Sequence, residues 1–178
     1  MKIVPLHFLL LASLANVRAP AAEPPSTFKV SEFTFSRPAS WEWVEVFVPM
    51  RKAQLKVTDP KTKNFADVIF FYFGPGDGGG VKANVNRWFG QFKEPRDKIK
   101  AKTEETTIGN HKVTYVEAEG TYQSGMPGGT MTPKPNYALT GAIIESPQGS
   151  VFVRMTGPHD LVKASSAEFK RMIEVALK

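Results

Sequence analysis

"ADVIFFYFGPGDGGGVKANVNRWFGQF", residues 66–92, joins an apolar run, a glycine-rich loop and a helical repeat. In the first part, Ala66 to Phe73, Asp67 is the one residue that interrupts two apolar faces. A strand of that composition is covered on each side, which predicts a central strand and the middle of the core. Every large side chain buried there contributes about 1.5–3 kcal/mol. After the loop, Val81, Val85, Trp88 and Phe92 recur at helical spacing with Phe89 beside them, while Lys82, Asn86, Arg87 and Gln91 face away. This predicts an amphipathic helix ended by Pro95.

The loop between them spells G-x-G-x-x-G at Gly74, Gly76 and Gly79. A dinucleotide fingerprint needs a parallel βαβ unit around such glycines and an acidic residue at a strand end to hold a ribose. Here the helix is followed by a charged linker and hairpins, and Gly80 leads into Val81-Lys82-Ala83 rather than the G-K-[ST] of a phosphate loop. Glycines also supply the φ > 0 conformations that reverse a chain between strand and helix. The segment therefore reads as a turn, with Gly76, Gly79, Tyr72 and Trp88 kept as the candidate loop and pocket residues should a ligand bind there.

Outward from this centre the signals are mostly strands. "FTFSRPASWEWVEVFV" puts Phe33 and Phe35 on one strand face, turns at Pro38 to Ser40, and resumes with Trp41, Trp43 and Phe47 on a second strand. "RKAQLKV" alternates, with Ala53, Leu55 and Val57 inward. "KTEETTI" and "HKVTYVEAEGTY" form a hairpin through Gly109-Asn110, and "NYALTGAIIES" and "SVFVRMTG" form another through Pro147 to Gly149. Gly157-Pro158 marks the start of a final helix with an apolar stripe of Leu161, Val162, Phe169, Met172, Ile173 and Ala176. Ser165 and Glu168 fit a capping box, which leaves room for a break at Lys163 to Ser165. Strands, helix, strands, helix, joined by short turns, predict an α+β domain with a mainly antiparallel sheet and two helices packed on it.

The chain of 178 residues opens with Lys2, an apolar run from Ile3 to Leu14, and Ala19-Pro20-Ala21. This is the pattern of a secretory signal peptide over residues 1–21, too short to span a membrane at about 20 apolar residues. A flexible leader over 22–30 and a single domain over 31–178 follow. No second long apolar segment follows the leader, so a mature protein without a transmembrane segment, periplasmic or extracellular, is expected. The formal charge is +6 and there is no cysteine, which excludes disulfides, thiol catalysis and thiolate metal sites. His7 leaves with the signal peptide, and His111 and His159 lack zinc-ligand spacing. No G-x-S-x-G accompanies any serine. The sequence thus predicts no catalytic constellation, no metal and no cofactor.

The signature "FTFSRPASWEW", through Phe33, Phe35, Pro38 and Trp41, resembles the PsbP-like family, and the order of elements resembles it over the mature chain. The resemblance implies an α/β/α sandwich around an antiparallel sheet, a fold shared with a nuclear-import factor that binds the GTPase Ran. It also implies binding of proteins or stabilisation of assemblies rather than catalysis. "GPGDGGGVKANVNRW" lies outside that motif and is similar to a segment of exported bacterial proteins.

Two functions compete. In the first, an exported non-catalytic domain binds a protein or an anionic envelope component through "KEPRDKIKAK", where Lys93, Arg96, Lys98, Lys100 and Lys102 outnumber Glu94 and Asp97. Nucleic acid is not expected, because the basic residues lack interleaved aromatics. In the second, the protein binds a small ligand or is an enzyme, using the glycine loop or the long loop "QSGMPGGTMTPKP", Gln123 to Pro135. A deep pocket under that loop, lined by Trp88 or Tyr72, would favour the second reading.

Overall fold

A computed structural model describes residues 23–125 and 129–178. The expected signal peptide lies outside these residues. The described chain runs β1 (Thr27–Val30), β2 (Phe33–Ser36), β3 (Glu42–Val44), β4 (Arg51–Thr58), β5 (Phe65–Tyr72), α1 (Val81–Phe89), β6 (Lys102–Ile108), β7 (His111–Ser124), β8 (Thr132–Ile144), β9 (Val151–Pro158) and α2 (His159–Ala176). Strands β3 to β9 form one seven-stranded antiparallel sheet in the order β3-β4-β5-β9-β8-β7-β6, and β1 and β2 pair as a separate hairpin. The architecture is α+β, as the sequence predicts.

One sheet face carries α2 and the β1–β2 hairpin. Its core contains Phe28, Phe35 and Trp41 from the hairpin region, Leu55, Val68 and Phe70 from the sheet, and Phe169 and Ile173 from α2. The edge-on contacts of Phe70 with Phe28 and Phe35, at 4.9 and 5.0 Å, join the layers. The opposite face carries α1, whose Val85, Trp88 and Phe89 cover Val116, Leu139, Ile143 and Phe152. The strand alternation sends successive side chains into different cores, so β5 is apolar toward both.

Several expectations change in detail. Residues 22–30 are not all leader, because Phe28 and Val30 point inward and Thr27–Val30 pair with β2 as β1. Arg37 fastens this hairpin by donating to the carbonyls of Pro25, at 2.9 Å, and Trp41. Phe47 is not on a buried strand face: β3 is an edge strand that stops at Val44, and Phe47 is 92% exposed. Helix α1 ends at Gly90, before Pro95, where the Gly90 N–H bonds the Asn86 carbonyl. Helix α2 runs without a break and buries Ser165 in its middle. The expected loop at Gln123 to Pro135 is paired at both ends, since β7 continues to Ser124 and β8 begins at Thr132, and residues 126–128 within it lie outside the described residues.

Candidate functional site

Helix α1 has nine residues and lies on a sheet seven strands wide, so much of that face is left without a helix over it. The glycine loop sets the helix in place. Gly74, Gly76, Gly78 and Gly79 all have positive φ. The Asn84 side-chain amide sits inside the loop and donates to the carbonyls of Gly78, Gly79 and Gly80 at 2.8, 3.2 and 3.1 Å. Arg87 donates to Asn84 Oδ1 at 2.6 Å and to the Gly78 carbonyl at 3.4 Å. Three carbonyls of the loop thus converge on an amide of its own helix, which ties the turn to the helix it leads into. At the other side of α1, Gly141 of β8 admits the Trp88 ring, since a Cβ there would lie 2.3 Å from it.

Beside α1 opens a cleft of about 560 Å³. Its walls are Phe71, Phe73 and Phe152 from the sheet, Trp88 and Gln91 from the helix side, and Tyr122, Gln123 and Gly125 with Met131 from the β7–β8 end. Arg154 of β9 lies between Ile69 and Gly141 in the sheet and opens into this space. Its Nη1 donates to Gln91 Oε1 at 2.6 Å, and the Tyr122 hydroxyl donates to the same oxygen at 3.1 Å. The guanidinium lies 5.9 Å from the Phe71 ring centroid. Its Nε is buried with no hydrogen-bond partner among the described residues. Burial, above all, pushes the Arg154 pKa below the ordinary arginine value, and the nearby charges of Arg51 and Arg87 act in the same sense. The group still carries its charge, because arginine does not deprotonate in proteins.

A smaller cleft of about 370 Å³ meets the first at Tyr122, Gly125 and Arg154. It holds Arg51, Asp67 and Lys134. Arg51 donates to Gln54 Oε1 at 3.1 Å, and Gln54 Nε2 donates to Asp67 Oδ1 at 3.0 Å. Arg51, Arg87 and Arg154 therefore each lean on an amide oxygen, and none makes a salt bridge among the described residues.

Of the residues singled out in the sequence, Trp88 lines the larger cleft. Tyr72 does not: it packs toward the α2 core and donates to the Gln148 carbonyl at 2.5 Å. Gly76 and Gly79 belong to the turn that carries α1. The basic segment is divided by local pairing. Arg96 stacks on Phe89 at 4.7 Å and reaches Asn86, Lys98 lies near Asp97, Lys102 near Glu104, and Lys100 bonds Glu119 at 2.6 Å. Lys93 is exposed, with its backbone N–H on the Thr121 carbonyl. Glu119 also meets His159, which lies 2.8 Å from Asp160, beside a third cleft of about 310 Å³. The hydrogen bond from Lys100, above all, holds the Glu119 carboxyl below its usual range. No group of metal-ligating side chains occurs among the described residues.

Neither Arg154 nor Tyr122 is expected from the sequence as a site residue, and Gln91, expected to face away from the apolar side, instead accepts from both. The available signal was Arg154 itself, one charge inside the otherwise apolar "VFVRM".

No protein-family model and no curated protein matches this sequence. Among solved structures, the chain is similar to cyanobacterial PsbP (CyanoP) from Synechocystis sp., determined in solution, over 89% of this chain and 96% of that one, at 10% identity and a TM-score of 0.49.

Proposed function

We propose that this protein is an exported, non-catalytic binding domain whose ligand is a small molecule held in the cleft beside α1. The observation that carries the reading is the cleft itself: about 560 Å³, walled by aromatic rings and crossed by a few polar groups, including Arg154 and Gln91. That size and lining are those of small-molecule sites. Support for a non-catalytic role is the chemistry of the walls, whose described residues offer aromatic, amide and guanidinium groups and no serine, histidine or carboxylate to act as nucleophile or base. Export rests on the first 21 residues, and amino-terminal sequencing from the envelope fraction should read Ala22 or Glu23. No helix among the described residues is long and apolar enough to cross a membrane.

The test is a titration of the uniformly labelled protein with neutral and acidic naphthalene derivatives, followed by amide chemical shifts. Saturable changes confined to residues 84–91, 122–125 and 152–154 are expected. Absence of saturable changes with every compound would reject the cleft as a ligand site.

A second reading, binding of a protein or envelope partner, draws on the exposed apolar side chains Phe47, Val48 and Met50. Loss of a co-purifying envelope component on Phe47→Ser, with Arg154→Met unaffected, would favour it. Equal recovery with both variants would count against it.

A further inference from the structure

From the surroundings of Arg154 we infer that the ligand of the cleft is an aromatic carboxylate, its anionic head on the Arg154 guanidinium and its ring among Phe71, Phe73, Trp88 and Phe152. The inference rests on the cleft being a small-molecule site and adds the ligand's chemical class.

The charge arrangement asks for an anion. Arg154 is partly buried and presents five N–H donors, yet its one hydrogen-bond partner among the described residues is the amide oxygen of Gln91. Arg51 and Arg87 bring two more positive charges close enough to disfavour its protonated form, whereas Asp67 is the carboxylate that acts in the opposite sense. Asp67 is itself held by Gln54 and makes no salt bridge among the described residues. A buried cation normally has an opposite charge beside it. A ligand that supplies that charge gains a hydrogen-bonded pair in a site of low dielectric.

The head is an oxyanion, because a guanidinium edge matches the paired oxygens of a carboxylate or a phosphate in a planar fork, and the number of cations free to bind it makes it a carboxylate. Among the described residues no lysine lines the larger cleft, and Arg87 Nη2 is already engaged by Asn84 Oδ1 and the Gly78 carbonyl, which leaves Arg154 as the one guanidinium there to bind the head directly. The body is aromatic because rings line the remaining walls, with Phe71 and Phe73 parallel within 3°.

Calorimetric titrations of the wild-type protein with 2-naphthoate, 2-naphthamide and 2-naphthyl phosphate test the inference, with Arg154→Met and Arg154→Lys as variants. 2-Naphthoate should bind at least tenfold more tightly than 2-naphthamide, and the preference should weaken as salt rises. Arg154→Met should erase the preference while 2-naphthamide binds as before, and Arg154→Lys should keep part of it. Equal affinity for acid and amide in the wild type would overturn the carboxylate assignment and leave the small-molecule reading standing. Tighter binding of the phosphate than of the carboxylate would overturn the choice of head group. Failure of all three to bind would overturn both readings. If Arg154→Met does not fold, the acid-to-amide ratio and its salt dependence in the wild type decide alone.

Discussion

Tyr115 breaks an ordinary rule for its residue type, Gly79 adopts a conformation that few other types tolerate, and each yields a test. The Tyr115 hydroxyl is buried without a hydrogen-bond partner among the described residues, and burial pushes its pKa up to about 12. Its ring is held by packing and by Lys170 Nζ, 5.2 Å from the centroid. Tyr115→Phe keeps the ring and removes an unsatisfied group. Urea unfolding should therefore show no loss of stability, and a gain of up to about 1 kcal/mol. Gly79 has φ +77°, and a would-be Cβ there would meet Asn84 Nδ2 at 3.7 Å, an ordinary contact, so Gly79→Ala meets backbone strain without a clash. It should cost about 1–2 kcal/mol in the same measurement. If the loop is only a turn, millimolar nucleotide leaves the Tm of both proteins unchanged. A saturable nucleotide shift lost in Gly79→Ala would overturn that. The sequence made the glycines legible because φ > 0 has few other solutions. Arg154 was harder to see, since nothing in a single strand reveals which charges it faces across a sheet.

Among the elements, α1 has the largest leverage on the cleft. Trp88 is 5% exposed and seats its ring over Gly141. Trp88→Ala should cost about 3–5 kcal/mol, read by thermal or urea unfolding, and should weaken naphthoate binding by removing a wall. Unchanged stability would refute the packing of α1 on the sheet. Helices and hairpins were readable because their apolar periods differ and Gly109 and Pro147 to Gly149 mark turns. The β7–β8 extension was not. Pro133 and Pro135 argue for a loop, yet β8 pairs with β9 only from Tyr137 onward. Residues 132–136 thus have one free edge, where a proline without an N–H is tolerated. Phe47 misled in the opposite way: its apolar character suggested a strand, but β3 leaves its partner at the Val44–Gln54 pair although β4 itself reaches back to Arg51.

For the molecule as a whole, acid is the condition that acts on many sites at once. Glu42, Asp59, Glu94 and Glu119 all have carboxyls below their usual range: Glu42 through Lys56, Asp59 through the Lys61 backbone N–H, Glu94 through Thr121, and Glu119 through Lys100. Each depressed value contributes stability that is complete above about pH 5 and disappears as pH falls through the folded value. A plot of Tm against pH should be flat from neutrality to that range and then fall. Glu119→Gln should make the fall shallower, with most of its cost at neutral pH already present; an identical acid limb would remove Glu119 from the account. The overall topology was legible as an antiparallel α+β domain, but not the strand order, because alternation says which face a strand buries and not which strand lies beside it. That order carries a consequence for how the chain reaches this state. Strand β9 lies between β5 and β8 and is the seam between β3–β5 and β6–β8. Its register joins Asp67 to Thr156 and Tyr72 to Val151, contacts between residues made far apart in time. During synthesis the two half-sheets have no shared partner until residues 151–158 emerge, so cooperative folding is delayed until then, and a nascent chain remains long enough without its seam to be handled in an unfolded form.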